Sequence, residues 1–105
     1  MSEEIGMLQE LTVENYEEKM KFGKTAVMFS ATWCVQCRVS TPIAEQVSEE
    51  IDIPFYKYMC DDGMDLPEAH KVLSLPTILL LEDGDEIGRI AGGFSAAELS
   101  ELLRK

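Results

Sequence analysis

Residues Thr25 to Ala31 read Thr-Ala-Val-Met-Phe-Ser-Ala, apolar at nearly every position, and this run constrains the fold more than any other. A strand with one wet face alternates apolar and polar residues; a continuous run belongs to a central strand covered on both faces. Ile53 to Met59 and Thr77 to Leu81 share this character. Helical patterns separate them. Thr12 can cap a helix with Val13, Tyr16 and Met20 on one face, Glu14, Glu17 and Glu18 early, Lys19 and Lys21 late, and Gly23 as its end. From about Cys34 to Glu50, Val39, Ile43, Ala44 and Val47 recur at helical spacing, with Pro42 inside, where a kink is expected. Asp65 to Val72 reads as a short helix. Glu82-Asp83-Gly84-Asp85 turns the third run into Glu86 to Ala91 as a hairpin. Ser95 and Glu98 form a capping box opening a last helix with Leu99, Leu102 and Leu103 inward. After a short apolar opening counted as a strand, the order is βαβαβα, then a hairpin and a helix. Such a chain is α/β, with a mixed central β-sheet flanked by helices on both faces, largely parallel, the hairpin supplying an antiparallel pair.

At 105 residues the chain fits one domain, residues 1–105. Its 20 Asp and Glu against 9 Lys and Arg give a net charge of -11, which repels phosphate backbones and anionic lipid, so neither nucleic acid nor a membrane surface is an expected partner. The best apolar run, Leu75 to Leu81, is far short of a membrane span and is interrupted by Pro76. The acidic opening Met1-Ser-Glu-Glu-Ile-Gly lacks the apolar core of a secretory signal. Three cysteines, two of them close together, suit a reducing cytoplasm better than a disulfide-stapled secreted domain.

Those two are Cys34-Val-Gln-Cys37, placed where an apolar strand ends and a helix begins. Free backbone N–H groups and the positive end of the helix dipole favour a thiolate at Cys34, and Arg38 adds a positive charge nearby. Cys37 lies one helical turn on, on the same side, so the pair can close a disulfide. The exposed helix end makes Cys34 the attacking sulfur and Cys37 the resolving one. Gln36, unlike proline, keeps an N–H that can bond the Cys34 sulfur. Two other readings stay open here. A zinc site needs two further ligands, and Cys60 and His70 are not arranged as a second knuckle. The pair could also be structural buried thiols. Cys60 itself reads as a small buried hydrophobe, and His70 as a surface or cap residue. No Gly-rich nucleotide motif or cofactor signal occurs, so electrons must arrive from another protein.

Ala31-Thr-Trp33-Cys34-Val-Gln-Cys37-Arg38, the helix proline Pro42, Leu75-Pro76-Thr77 before an apolar strand, Asp83-Gly84 and Gly92 together resemble the thioredoxin family across nearly the whole chain. The resemblance implies the thioredoxin fold and dithiol–disulfide exchange with target proteins that carry disulfides, with a thioredoxin reductase-type electron donor and a monomeric carrier. It implies that the Leu75–Pro76 bond is cis, and that Trp33, Leu75, Pro76 and Gly92 contact bound substrate. The alternative is a redox-idle module that holds client proteins in the same groove. Two departures from the family pattern stand out. Val35-Gln36 replaces the usual Gly-Pro, which tunes the balance of thiolate and disulfide. Met28 replaces a buried aspartate proposed as proton acceptor for the resolving cysteine, although Lys57 matches that aspartate's neighbouring lysine.

Overall fold

A computed structural model describes residues 8–21 and 23–105. The reading of Met1-Ser-Glu-Glu-Ile-Gly therefore lies outside the described residues, as does most of the apolar opening. Five strands form one sheet: β1 (Gln9–Leu11), β2 (Lys24–Ser30), β3 (Phe55–Met59), β4 (Thr77–Glu82) and β5 (Asp85–Ala91), in the order β1-β3-β2-β4-β5. The helices are α1 (Tyr16–Met20), α2 (Val35–Ser48), α3 (Asp65–Ala69) and α4 (Ala96–Leu103). The continuous apolar runs become the central strands. From Thr25 to Ser30, β2 is buried at every residue, as are Thr77 to Leu81 of β4.

The two sheet faces are told apart by β2. Phe29 stacks edge-on with Tyr58 of β3 at 5.8 Å and lies 6.2 Å from the ring of His70, whose Nε2 is hydrogen-bonded to the Tyr16 hydroxyl at 2.5 Å. That face carries α1 and α3. Met28 and Ser30 alternate with Phe29 and so point to the opposite face, where α2 packs against α4. His70 is the C-cap of α3, as one of the two readings had it, but it is half-buried in an aromatic cluster and not at the surface, and this desolvation lowers its pKa.

The sheet is less parallel than the sequence pattern suggests. β1 and β2 run parallel to β3, but β4 is antiparallel to β2 as well as to β5. Between β3 and β4 the chain has only a 3-10 turn at Cys60–Asp62 and the five-residue α3. A helix that short rises about 7.5 Å, whereas the five residues of β3 cover roughly 16 Å. The helix therefore does not carry the chain back along the sheet, and β4 enters from the end at which β3 stops. The hairpin itself closes as anticipated. Asp83 and Gly84 both have positive φ, +53° and +90°, which fits a tight two-residue hairpin turn whose twist matches the strands.

Two helices differ from expectation. Thr12 does not cap α1 directly. It exchanges hydrogen bonds with Asn15, one through the Thr12 N–H (2.7 Å) and one through the Asn15 N–H (3.1 Å), and the helix starts only at Tyr16, leaving Val13 exposed. On α2 the buried residues are Cys37, Ser40, Ala44 and Val47, so Val39 is 58% exposed. The helix continues through Pro42, which faces solvent, and the Thr41 hydroxyl donates to the Cys37 carbonyl at 2.7 Å. The last helix carries both halves of the Ser95–Glu98 capping box, with Leu99, Leu102 and Leu103 buried. Among the described residues no helix is long and apolar enough to cross a membrane.

Candidate functional site

Cys34 is the N-cap of α2, in an extended conformation, and its Sγ accepts a hydrogen bond from the Cys37 N–H at 3.2 Å. A cap side chain normally offers oxygen to an orphan N–H in the first turn; here sulfur does so. The donor is the Cys37 N–H, not that of Gln36. The Gln36 side chain instead lies over Gly93, where an added Cβ would come within 2.7 Å of its Nε2.

The two sulfurs open in different directions. Cys34, Trp33 and Leu75 line a groove of about 280 Å³ together with Cys60, Met64 and Leu73. Cys37 lines a second cavity, of about 490 Å³, with Ser30, Arg38 and Lys57. Cys34 is not at an open helix end, being 8% exposed against 2% for Cys37, and it meets solvent through the groove. Burial pushes the Cys37 thiol above its ordinary pKa and the hydrogen bond to Cys34 adds to this, while donors from the Ser30 hydroxyl and Ala31 N–H act against both.

Trp33 is 68% exposed and Leu73 94%, so the groove has an apolar rim standing in water. Large exposed apolar side chains gathered at one cleft mark a surface that binds something. The Leu75–Pro76 bond is cis, as the resemblance implies. Pro76 is buried next to Leu75, and its carbonyl accepts from the Gly92 N–H at 2.7 Å, which holds Gly92 beside Pro76. Arg89 of β5 donates to the carbonyls of His70 (2.6 Å) and Lys71 (3.2 Å), tying down the segment that leads into Leu73 and Leu75. Met64, Leu73 and Cys60 were not singled out as groove residues from the sequence. The available signal was a second leucine, Leu73, two residues before Leu75.

A model of the thioredoxin family matches residues 7–105. The chain belongs to the thioredoxin family. Among similar relatives, an H-type thioredoxin of Fagopyrum esculentum is 33% identical over 100% of this chain and 92% of its own length. A thioredoxin of Listeria monocytogenes is 32% identical over 94% of this chain and 98% of its own. The crystal structure of thioredoxin from Trypanosoma brucei brucei superposes with a TM-score of 0.86 over 99% of this chain and 94% of that one, at 24% identity, and so speaks to the fold. The thioredoxin family is one of thiol–disulfide oxidoreductases, and this member carries its Cys-x-x-Cys spacing as Cys34 and Cys37. No group of three or more His, Cys, Asp or Glu side chains able to hold a metal occurs among the described residues.

Cys60 is buried as expected, but it also lines the groove with Cys34. Burial, with Cys37, Asp61 and Cys34 around it, pushes its thiol up to about 11. It should therefore stay protonated and inert at neutral pH. Iodoacetamide at pH 7.5 is expected to modify reduced protein at Cys34 well before Cys60, as read by peptide mass spectrometry. Equal labelling of both would show that burial does not silence Cys60.

Proposed function

We propose that this thioredoxin-family chain is a single-domain, monomeric cytoplasmic carrier that reduces disulfides in target proteins and is itself re-reduced by a separate reductase. Cys34 attacks a target disulfide as a thiolate and forms a mixed disulfide. Cys37 then attacks Cys34, so that the Cys34–Cys37 bond forms, the bond to the target breaks, and the target leaves as a thiol after protonation. The observation that carries this reading is the division of the sulfurs. Cys34 faces the apolar-rimmed groove, while Cys37 sits one turn away, close enough to give its N–H to Cys34 yet turned to the other cavity. A target reaches the first sulfur and not the second. In this reading Trp33, Leu75, Pro76 and Gly92 contact the target segment beside Cys34.

The exposed rim at Trp33 and Leu73 would equally suit a redox-idle module that only holds clients. Turnover separates the two. With dithiothreitol as reductant, catalytic amounts of the protein are expected to accelerate insulin reduction, read as turbidity from the released chain. A rate no faster than dithiothreitol alone would leave only the binding module.

A further inference from the structure

The cavity on the Cys37 side has an unusual lining for a site where a thiol must lose its proton. Ser30, Cys37, Arg38 and Lys57 stand around it, and no carboxylate does. Met28 and Ser30, two positions apart on β2, share a face, and the parallel register sets Lys57 beside Met28. Beneath Cys37 the sheet therefore presents a thioether, a hydroxyl and an ammonium. Ser30 is buried at the end of a largely apolar strand, where an unpartnered hydroxyl would be costly. Ser30 and Ala31 line the same cavity as Cys37, and the Ser30 hydroxyl and the Ala31 N–H both favour the Cys37 thiolate there.

We propose that Ser30 is the residue that enables Cys37 to resolve the mixed disulfide: its hydroxyl holds the Cys37 sulfur as it becomes a thiolate, and the proton leaves to solvent through the cavity bordered by Arg38 and Lys57. This rests on the dithiol reading above. The Cys37 proton passes to water in the cavity. The thiolate pair then forms the Cys34–Cys37 bond, and the pair of the breaking Cys34–target bond leaves with the target sulfur, which takes up a proton. The other charged or titratable groups near Cys37 are Cys34 and Arg38 on its own helix, Lys57 on β3, and Cys60 with Asp61 in the turn after β3. The two cations favour the thiolate, while Cys60 remains a neutral thiol. Ser30 is the residue of β2 that shares this cavity with Cys37.

Rapid mixing of reduced protein with a fluorescent disulfide peptide, acid quenching and mass spectrometry would separate formation of the mixed disulfide from its resolution. In Ser30→Ala, formation should keep its native rate, while resolution slows roughly tenfold or more, as expected for a lost hydrogen bond to a charged group. The midpoint of the resolution rate against pH should also move upward, a change that a packing defect would not produce. Lys57→Gln should move the midpoint the same way by less. An unchanged resolution rate and midpoint in Ser30→Ala, or an equal slowing of both steps without a midpoint shift, overturns the proposal while leaving dithiol exchange intact. If Cys37→Ser accumulates no mixed disulfide in the same assay, the dithiol reading falls and takes this proposal with it.

Discussion

Cys34→Ser is expected to reduce insulin no faster than the dithiothreitol background, a loss of three orders of magnitude or more on the scale of removed nucleophiles. The groove holds one other thiol, Cys60, which could in principle stand in. With its thiol pushed up to about 11, only roughly one molecule in ten thousand carries the thiolate at pH 7, which is too little to replace Cys34. Cys37→Ser should fail differently. Cys34 still attacks, but the serine hydroxyl does not displace the target, so intact-mass spectrometry should show a one-to-one mixed disulfide that persists until dithiothreitol is added. Residual turnover in Cys34→Ser would point to Cys60, and normal turnover in Cys37→Ser would remove the resolving step altogether.

Met28→Asp is the second large effect. Met28 is 0% exposed, fills the face of β2 under α2, and has Lys57 as its register partner on β3. Losing the thioether and burying even a neutral carboxyl should destabilise the fold by about 2 kcal/mol or more. Ionisation adds to this. Desolvation places the folded pKa of the new carboxyl above its unfolded value of about 3.9. The folded state then binds more protons than the unfolded one between those two values, so stability falls as pH rises through that window. Urea denaturation should accordingly show a larger destabilisation at pH 8 than at pH 5, by about 1.4 kcal/mol for each unit of pKa shift traversed. Lys57 softens the penalty without reversing it, because its half-exposed side chain borders the solvent cavity while residue 28 lies wholly inside. Equal destabilisation at both pH values would mean that Lys57 neutralises a carboxylate at this position completely.

What could be read from the sequence followed from residues whose reasons are local. The unbroken run of β2, the Asp83-Gly84 turn and the Ser95–Glu98 box each specify their own geometry, and each stands where it was expected. Cys34 and Cys37 were legible for the same reason, since a strand-to-helix turn places them whatever surrounds it. Properties that depend on a distant partner were not legible. Ser40, not Val39, faces the sheet because the inward stripe of α2 is Cys37, Ser40, Ala44 and Val47, and a pattern search weighted to apolar residues passes over a small serine. His70 was read as a surface or cap residue; it does cap α3, but its burial was hidden because its partners, Tyr16 and Phe29, are far away in the chain. The same blindness hid Ser30, whose meaning appears only once α2 brings Cys37 over it.

Trp33 and Cys60 both line the groove beside Cys34, on segments from different parts of the chain. Next to them in the chain, Asp61 accepts hydrogen bonds from the Thr32 N–H at 2.8 Å and the Thr32 hydroxyl at 2.7 Å, which hold its carboxyl below the usual carboxylate range. The residue before Trp33 is thereby stapled to the residue after Cys60. Two of the segments that line the cleft are thus tied together before any target arrives. A bound segment then loses its own freedom but does not have to organise the walls that receive it, so more of its contact energy remains to hold it in place.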